Sequence, residues 1–203
     1  MPTPARARPG AAGVRVEPAT RDRWPDIERL FGDRGACGGC WCMHFRLLRP
    51  EYERGKGEGN RRALRRLVAS DTPPGVVAYD GDLPVGWCAV APRQAYPRLA
   101  RSRAMRAVDD QPVWSVVCLF IAKGHRRRGI SVALLRGAAE FAASRGARLV
   151  EGYPVEPRSG AMPDVFAWTG TASAFRAAGF SEVARALPGR PVMRRELGPQ
   201  TSG

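Results

Sequence analysis

Two groups of residues in this chain carry chemistry by type and spacing. The first is Arg126, Arg127, Arg128, Gly129, Ile130, Ser131 and Val132, a basic turn with one glycine between an apolar run and an apolar-periodic helix. Backbone N–H groups at a helix start are unpaired and point outward, and the helix dipole favours negative charge there. Residues 126 to 132 therefore form a cradle for a phosphorylated anion. The second group is Glu151 and Tyr153 in ARLVEGYPV. Alternation along a strand puts both on one face, with Val150 and Gly152 on the other, so a carboxylate and a phenol stand together.

A third group looks like metal chemistry and reads otherwise. Cys37, Cys40, Cys42 and His44 lie close together in GACGGCWCMHF, but no second ligand pair follows at a spacing that wraps a tetrahedron. A packed or pocket-lining loop is expected there, and no metal. Trp41, Met43 and Phe45 interleave with the cysteines and suit the apolar wall of a small-molecule site. Cys88 and Cys118 sit in apolar runs as small core residues. Asp109-Asp110 reads as an acidic stop before a strand.

These residues need elements to hold them. GVRVEP (13 to 18) alternates as a first strand. Thr20 precedes a helix with Trp24, Ile27, Leu30 and Phe31 on one face, ended by Gly32. Residues 50 to 59 read as a loop, and Asn60 as the cap of a helix with Leu64, Leu67 and Val68 inward and Arg61, Arg62, Arg65 and Arg66 outward. GVVAYDGDLPVGWCAVAPR is a hairpin about Asp80-Gly81-Asp82. Residues 94 to 113 show little pattern. VWSVVCLFIA is a buried strand and SVALLRGAAEFAASRG the helix after the basic turn. TASAFRAAGF is a short helix, followed by a last hairpin across Pro188-Gly189. Residues 1–12 read as a disordered tail, 13–196 as one domain and 197–203 as a second tail.

Composition narrows the partners. No apolar run approaches the roughly 20 residues that span a bilayer, and no export signal is evident, so a cytoplasmic protein without membrane contact is expected. Five cysteines in such a setting argue against a disulfide framework. The net charge of +14 rests on 33 basic residues of which only Lys56 and Lys123 are lysine. Most of this excess is spread along the chain, as a solvated arginine-rich surface is; a polyanion such as a nucleotide or RNA is the sharper alternative.

The order of elements, the turn Arg126-Arg127-Arg128-Gly129-Ile130-Ser131 and the segment Ala174-Phe175-Arg176-Ala177-Ala178-Gly179-Phe180 together resemble the GNAT acyltransferase superfamily over roughly residues 13 to 196. The resemblance implies an α/β (α+β) fold with a mixed, mostly antiparallel central sheet flanked by helices. It also implies acetyl-CoA, or another acyl-CoA, as co-substrate, with no metal. Leu119, Phe120 and Ile121 match the strand that pairs with the pantetheine arm, and Arg126 to Val132 the pyrophosphate signature.

Acyl transfer needs a polarised thioester carbonyl, a neutral amine and a proton for the departing thiolate. In many family members a tyrosine on the late helix gives that proton. Phe175 stands at the matching position and cannot. The expected substitutes are Tyr153 as acid and Glu151 as base, with Cys118 a weaker candidate. Trp41, Met43 and Trp87 are the expected acceptor-side residues. The implied activity is transfer of acetyl to a small amine. Transfer involving an RNA-linked substrate such as aminoacyl-tRNA, through the arginine patches, and a non-catalytic acyl-CoA binder are the alternatives. Monomer and homodimer both remain open.

Overall fold

The structure, a computed structural model, describes residues 13–156 and 168–198. The expected tail at 1–12 and the last five residues of the 197–203 tail lie outside the described residues. Seven strands form one sheet in the order β1-β2-β3-β4-β5-β7-β6. They are β1 (Val14–Pro18), β2 (Gly75–Asp80), β3 (Leu83–Pro92), β4 (Trp114–Ile121), β5 (Leu149–Gly152), β6 (Ser181–Leu187) and β7 (Arg190–Glu196). Every neighbouring pair is antiparallel except β4 and β5, which are parallel. The mixed, mostly antiparallel sheet expected from the sequence is the one observed.

Helices cover both faces. On one lie α1 (Trp24–Phe31), α2 (Arg49–Arg54) and α3 (Glu58–Val68); on the other lie α4 (Ile130–Ser144) and α5 (Ala172–Ala177). Helix α1 buries Trp24, Ile27, Leu30 and Phe31, the face its sequence pattern marks, and stops at Gly32 with φ 61°. Helix α4 approaches the sheet closely because two contacts lack side chains. A Cβ on Gly137 would stand 2.4 Å from Val16, and one on Gly86 of β3 would stand 3.0 Å from Leu134. The core thus has two layers of apolar side chains with the sheet between them.

The segment 50–59, expected as a loop, holds most of α2, and α3 begins at Glu58 behind Gly57 with φ 80° rather than at an Asn60 cap. Two short helices joined through one left-handed glycine have no long apolar period, which hides them in sequence. Asn60 instead points inward and is fully buried. Its amide Nδ2 donates to the Gly39 carbonyl at 3.2 Å and to the Tyr52 carbonyl at 3.4 Å, pinning the cysteine-rich loop to α2 and α3. Asn60→Ala removes both bonds and leaves the Gly39 carbonyl with only the Gly57 N–H at 3.0 Å, and is expected to cost about 1–2 kcal/mol. A lower urea midpoint at constant slope checks it.

Candidate active site

Strands β4 and β5 pair only through Trp114 with Val150, Ser115 with Glu151 and Val116 with Gly152. Beyond that they part, and the segment after the undescribed residues enters the gap. Val155 donates its N–H to the Gly170 carbonyl at 2.9 Å, and Leu119 donates its own to the Trp168 carbonyl at 2.7 Å. Of the three strand residues expected to meet a pantetheine arm, Leu119 therefore already has its N–H engaged. Phe120 turns its ring edge to Phe31, and the Ile121 carbonyl accepts from Arg126 Nε at 3.2 Å.

The basic turn follows β4 directly. Arg127 (φ 59°) and Gly129 (φ 79°) are both left-handed. The ladder of α4 begins where Val132 donates to the Gly129 carbonyl at 3.0 Å, so the N–H groups of Ile130 and Ser131 precede it. His125 Nε2 lies 3.7 Å from the Asp80 carboxylate, where the turn comes beside the β2–β3 hairpin. A groove of about 590 Å³ runs from Gly129 past Val132 and Arg136, walled by Val14 and Val16.

Glu151 and Tyr153 share a face, as alternation requires, on the side of α1 to α3. The Tyr153 hydroxyl donates to Glu151 Oε1 at 2.6 Å. With its proton committed, it accepts from Ser115 Oγ at 3.0 Å and from Arg93. Glu151, with no exposure, takes an ion pair on each oxygen: Arg93 on Oε1 at 3.2 Å and Arg194 Nε on Oε2 at 2.7 Å. Arg194 is its cross-strand partner on β7, and its two terminal nitrogens grip Asp109 at 2.6 and 2.9 Å. Those hydrogen bonds hold the Asp109 carboxyl down to about 2. Burial, then the Glu151 charge, pushes the Tyr153 phenol well above its ordinary value, so it stays protonated.

Sequence reasoning missed Arg93, Ser115 and Arg194, and with Arg194 the partner of Asp109. Only Ser115, a lone hydroxyl inside an apolar strand, left a signal. Asp109, read as an acidic stop, is a structural counter-ion. Phe175 is fully buried on the opposite face, against Phe180 at 5.0 Å. Its ring fills the space that a Cβ on Gly152 or Gly170 would enter.

The cysteine-rich loop scatters its would-be ligands. Trp41 and Cys42 take left-handed φ of 44° and 57°. The buried Cys42 Sγ accepts from Trp87 Nε1 at 3.0 Å, Cys37 is exposed and His44 faces Arg98. Among the described residues no three metal-binding side chains gather. Trp41, Met43 and Trp87 are buried in the core rather than open to a pocket; Trp41 packs on Trp24 and Phe31. The Cys118 thiol is pushed up by its hydrogen bond with Cys42 and by burial, so it is no ready nucleophile.

A second cavity is bordered by described residues. About 410 Å³ in volume, it is bounded by His44, Phe45, Arg49, Arg98, Arg101, Met105 and Trp168. It draws on the cysteine-rich loop, the unpatterned 94 to 113 segment and the residues after the undescribed stretch. The Met105 carbonyl accepts from Arg93 at 2.7 Å, which links this cavity to the Glu151–Tyr153 network. On the basic face of α3, Arg61 is bound to Glu28 and Glu58, and Arg62 lies 3.7 Å from Glu58. No helix among the described residues is long and apolar enough to cross a membrane.

Known proteins agree with this architecture. An acetyltransferase from Streptococcus agalactiae superposes with a TM-score of 0.54 at 12% identity, covering 92% of this chain and 96% of that one. An agmatine N-acetyltransferase gives 0.54 at 11% identity, covering 91% and 100%. A PaiA N-acetyltransferase from Thermoplasma acidophilum in complex with coenzyme A gives 0.50 at 11%, covering 91% and 99%. No curated protein sequence matches the chain significantly. The model of the Acetyltransferase (GNAT) family matches residues 41–161, more than half of the sequence, and the chain belongs to that family.

Proposed function

We propose that this acyltransferase moves an acetyl group from acetyl-CoA to the amine of a small molecule by direct attack. The observation that carries this reading is the strand–turn–helix of β4 and α4, whose left-handed Arg127 and Gly129 expose the N–H groups of Ile130 and Ser131 at the end of a strand that parts from β5. Arg126 to Val132 fit a pyrophosphate, which needs several converging donors. Leu119, Phe120 and Ile121 border the gap that suits a pantetheine arm, provided the Trp168 carbonyl releases the Leu119 N–H.

In the reaction the amine nitrogen bonds to the thioester carbon, the carbon–sulfur bond breaks, and the amine's proton leaves as the thiolate gains one. Glu151 and Tyr153 are both buried, so the amine must come to the phenol through the gap between β4 and β5, and Glu151 acts through Tyr153. As the phenol oxygen takes a proton from the attacking amine, the phenol's own proton passes to Glu151 along the 2.6 Å hydrogen bond. Returning along the same path, it leaves Tyr153 as the acid for the thiolate. Ser115 Oγ gives up its bond so that the amine reaches that lone pair of the phenol oxygen, while Arg93 keeps the oxygen in place.

Acetyl-CoA at about 100 times its dissociation constant is expected to add about 2.7 kcal/mol of stability, read as a rise in Tm. With an amine panel, free thiol and an acetylated product should appear together. No Tm shift with acetyl-CoA and no thiol release would overturn the reading.

A further inference from the structure

The cavity beside the reaction centre carries charge of one sign. Arg49, Arg98 and Arg101 border it, and among the described residues no carboxylate lines it. Several arginines elsewhere in the molecule, Arg23, Arg61, Arg93, Arg176, Arg185 and Arg194 among them, have carboxylates within 4 Å. Arg49 and Arg101 have no such partner among the described residues. Arg98 donates through one nitrogen to the His44 carbonyl at 2.9 Å and sits 3.3 Å from His44 Nδ1, which holds its guanidinium at the wall with further donors uncommitted. Glu53, whose carboxyl feels Arg49 and Arg98, is already held by Lys56 at 2.6 Å. Three arginines bordering one cavity, with no carboxylate paired to them among the described residues, repel one another, and an anionic ligand relieves that.

Apart from His44 and Ser102, the rest of the described lining is apolar. Trp168 stacks on Phe45 at 5.4 Å and 26°, and His44 meets Trp168 edge-on at 5.3 Å. His44 is held below its ordinary 6.5 by burial and then by Arg98, so it adds no charge at neutral pH. The cavity touches the proposed chemistry at two points: the Met105 carbonyl holds Arg93, and the Trp168 carbonyl holds Leu119 on β4.

Resting on the acyltransferase reading above, we infer that the acceptor is a small amine that also carries a carboxylate and an apolar side chain, in the manner of a free amino acid. Its carboxylate lies among Arg49, Arg98 and Arg101, its side chain against Phe45 and Trp168, and its amine toward Tyr153. The same charges disfavour cationic amines.

Matched pairs differing only in the carboxylate test this on the intact chain: phenylalanine against phenethylamine, and leucine against isoamylamine, with agmatine as the cationic arm. The readouts are free thiol and product mass. One or two charge-assisted hydrogen bonds to the carboxylate predict about a 10- to 100-fold higher kcat/KM for the acid of each pair. Arg101→Gln with Arg49→Gln, both at exposed positions, is expected to bring each ratio down to about 3 or less, chiefly through a higher KM for the acid. Equal use of both members of a pair overturns the inference, as does preference for agmatine. Acetylation of phenylalanine only when esterified to RNA also overturns it, and so does no transfer to any amine. The Tm shift with acetyl-CoA is read separately: if it persists while the pairs fail, only the acceptor assignment falls.

Discussion

Tyr153→Phe is expected to fold normally and to lose about 10²–10⁴-fold in kcat. The ring is 1% exposed and phenylalanine occupies the same space. What disappears is one oxygen bonded to Glu151 at 2.6 Å, to Ser115 at 3.0 Å and to Arg93. Without it, Glu151 has no path to the gap between β4 and β5. The stability cost is expected to be about 1–2 kcal/mol, because Arg93 keeps its ion pair to Glu151. Steady-state thiol release against a denaturation curve separates the two effects. Turnover within threefold of the parent would remove Tyr153 from the mechanism. Because the phenol is pushed up by burial and by Glu151, no gain in rate from its ionisation is expected between pH 6 and about 9.

Glu151→Gln is expected to destabilise the protein by about 3–5 kcal/mol, the largest effect on stability anticipated for a single substitution here. The carboxylate is fully buried between Arg93 and Arg194, and glutamine leaves both guanidinium groups facing a neutral amide. Arg194 keeps Asp109, so its charge is not wholly orphaned. Asp109 also gives the network a pH signature. Its carboxyl is depressed from 3.8 to about 2 by the hydrogen bonds of Arg194, so the folded state binds its proton less readily than the unfolded state. The stabilisation is complete above the unfolded value and is lost as pH falls through that interval. An acid-unfolding curve should therefore lose a component between those two values in Asp109→Asn. Urea midpoints at neutral pH measure the Glu151→Gln loss; a change below about 1 kcal/mol would mean that water or a shifted arginine compensates.

The local pattern of the chain determined a good deal by itself. The β2–β3 hairpin, the strand–turn–helix about Gly129, the shared face of Glu151 and Tyr153 and the fully apolar face of α1 all follow from periods of two or 3.6 residues and from turn glycines. Those are properties of neighbours in sequence. The tertiary structure decided everything that depends on which distant residues meet. Arg194 reaches Glu151 because β7 inserts beside β5, and Asp109 completes the pair from the far end of an unpatterned segment. Asn60 turned from an expected cap into a buried clamp because α2 and the cysteine-rich loop close over it. Trp41, Met43 and Trp87 went into the core, and Arg98, Arg101 and Trp168 came to the cavity instead. A side chain's periodicity tells which way it faces, whereas its partner is set by sheet register and helix docking, and these leave no trace in the residues nearby.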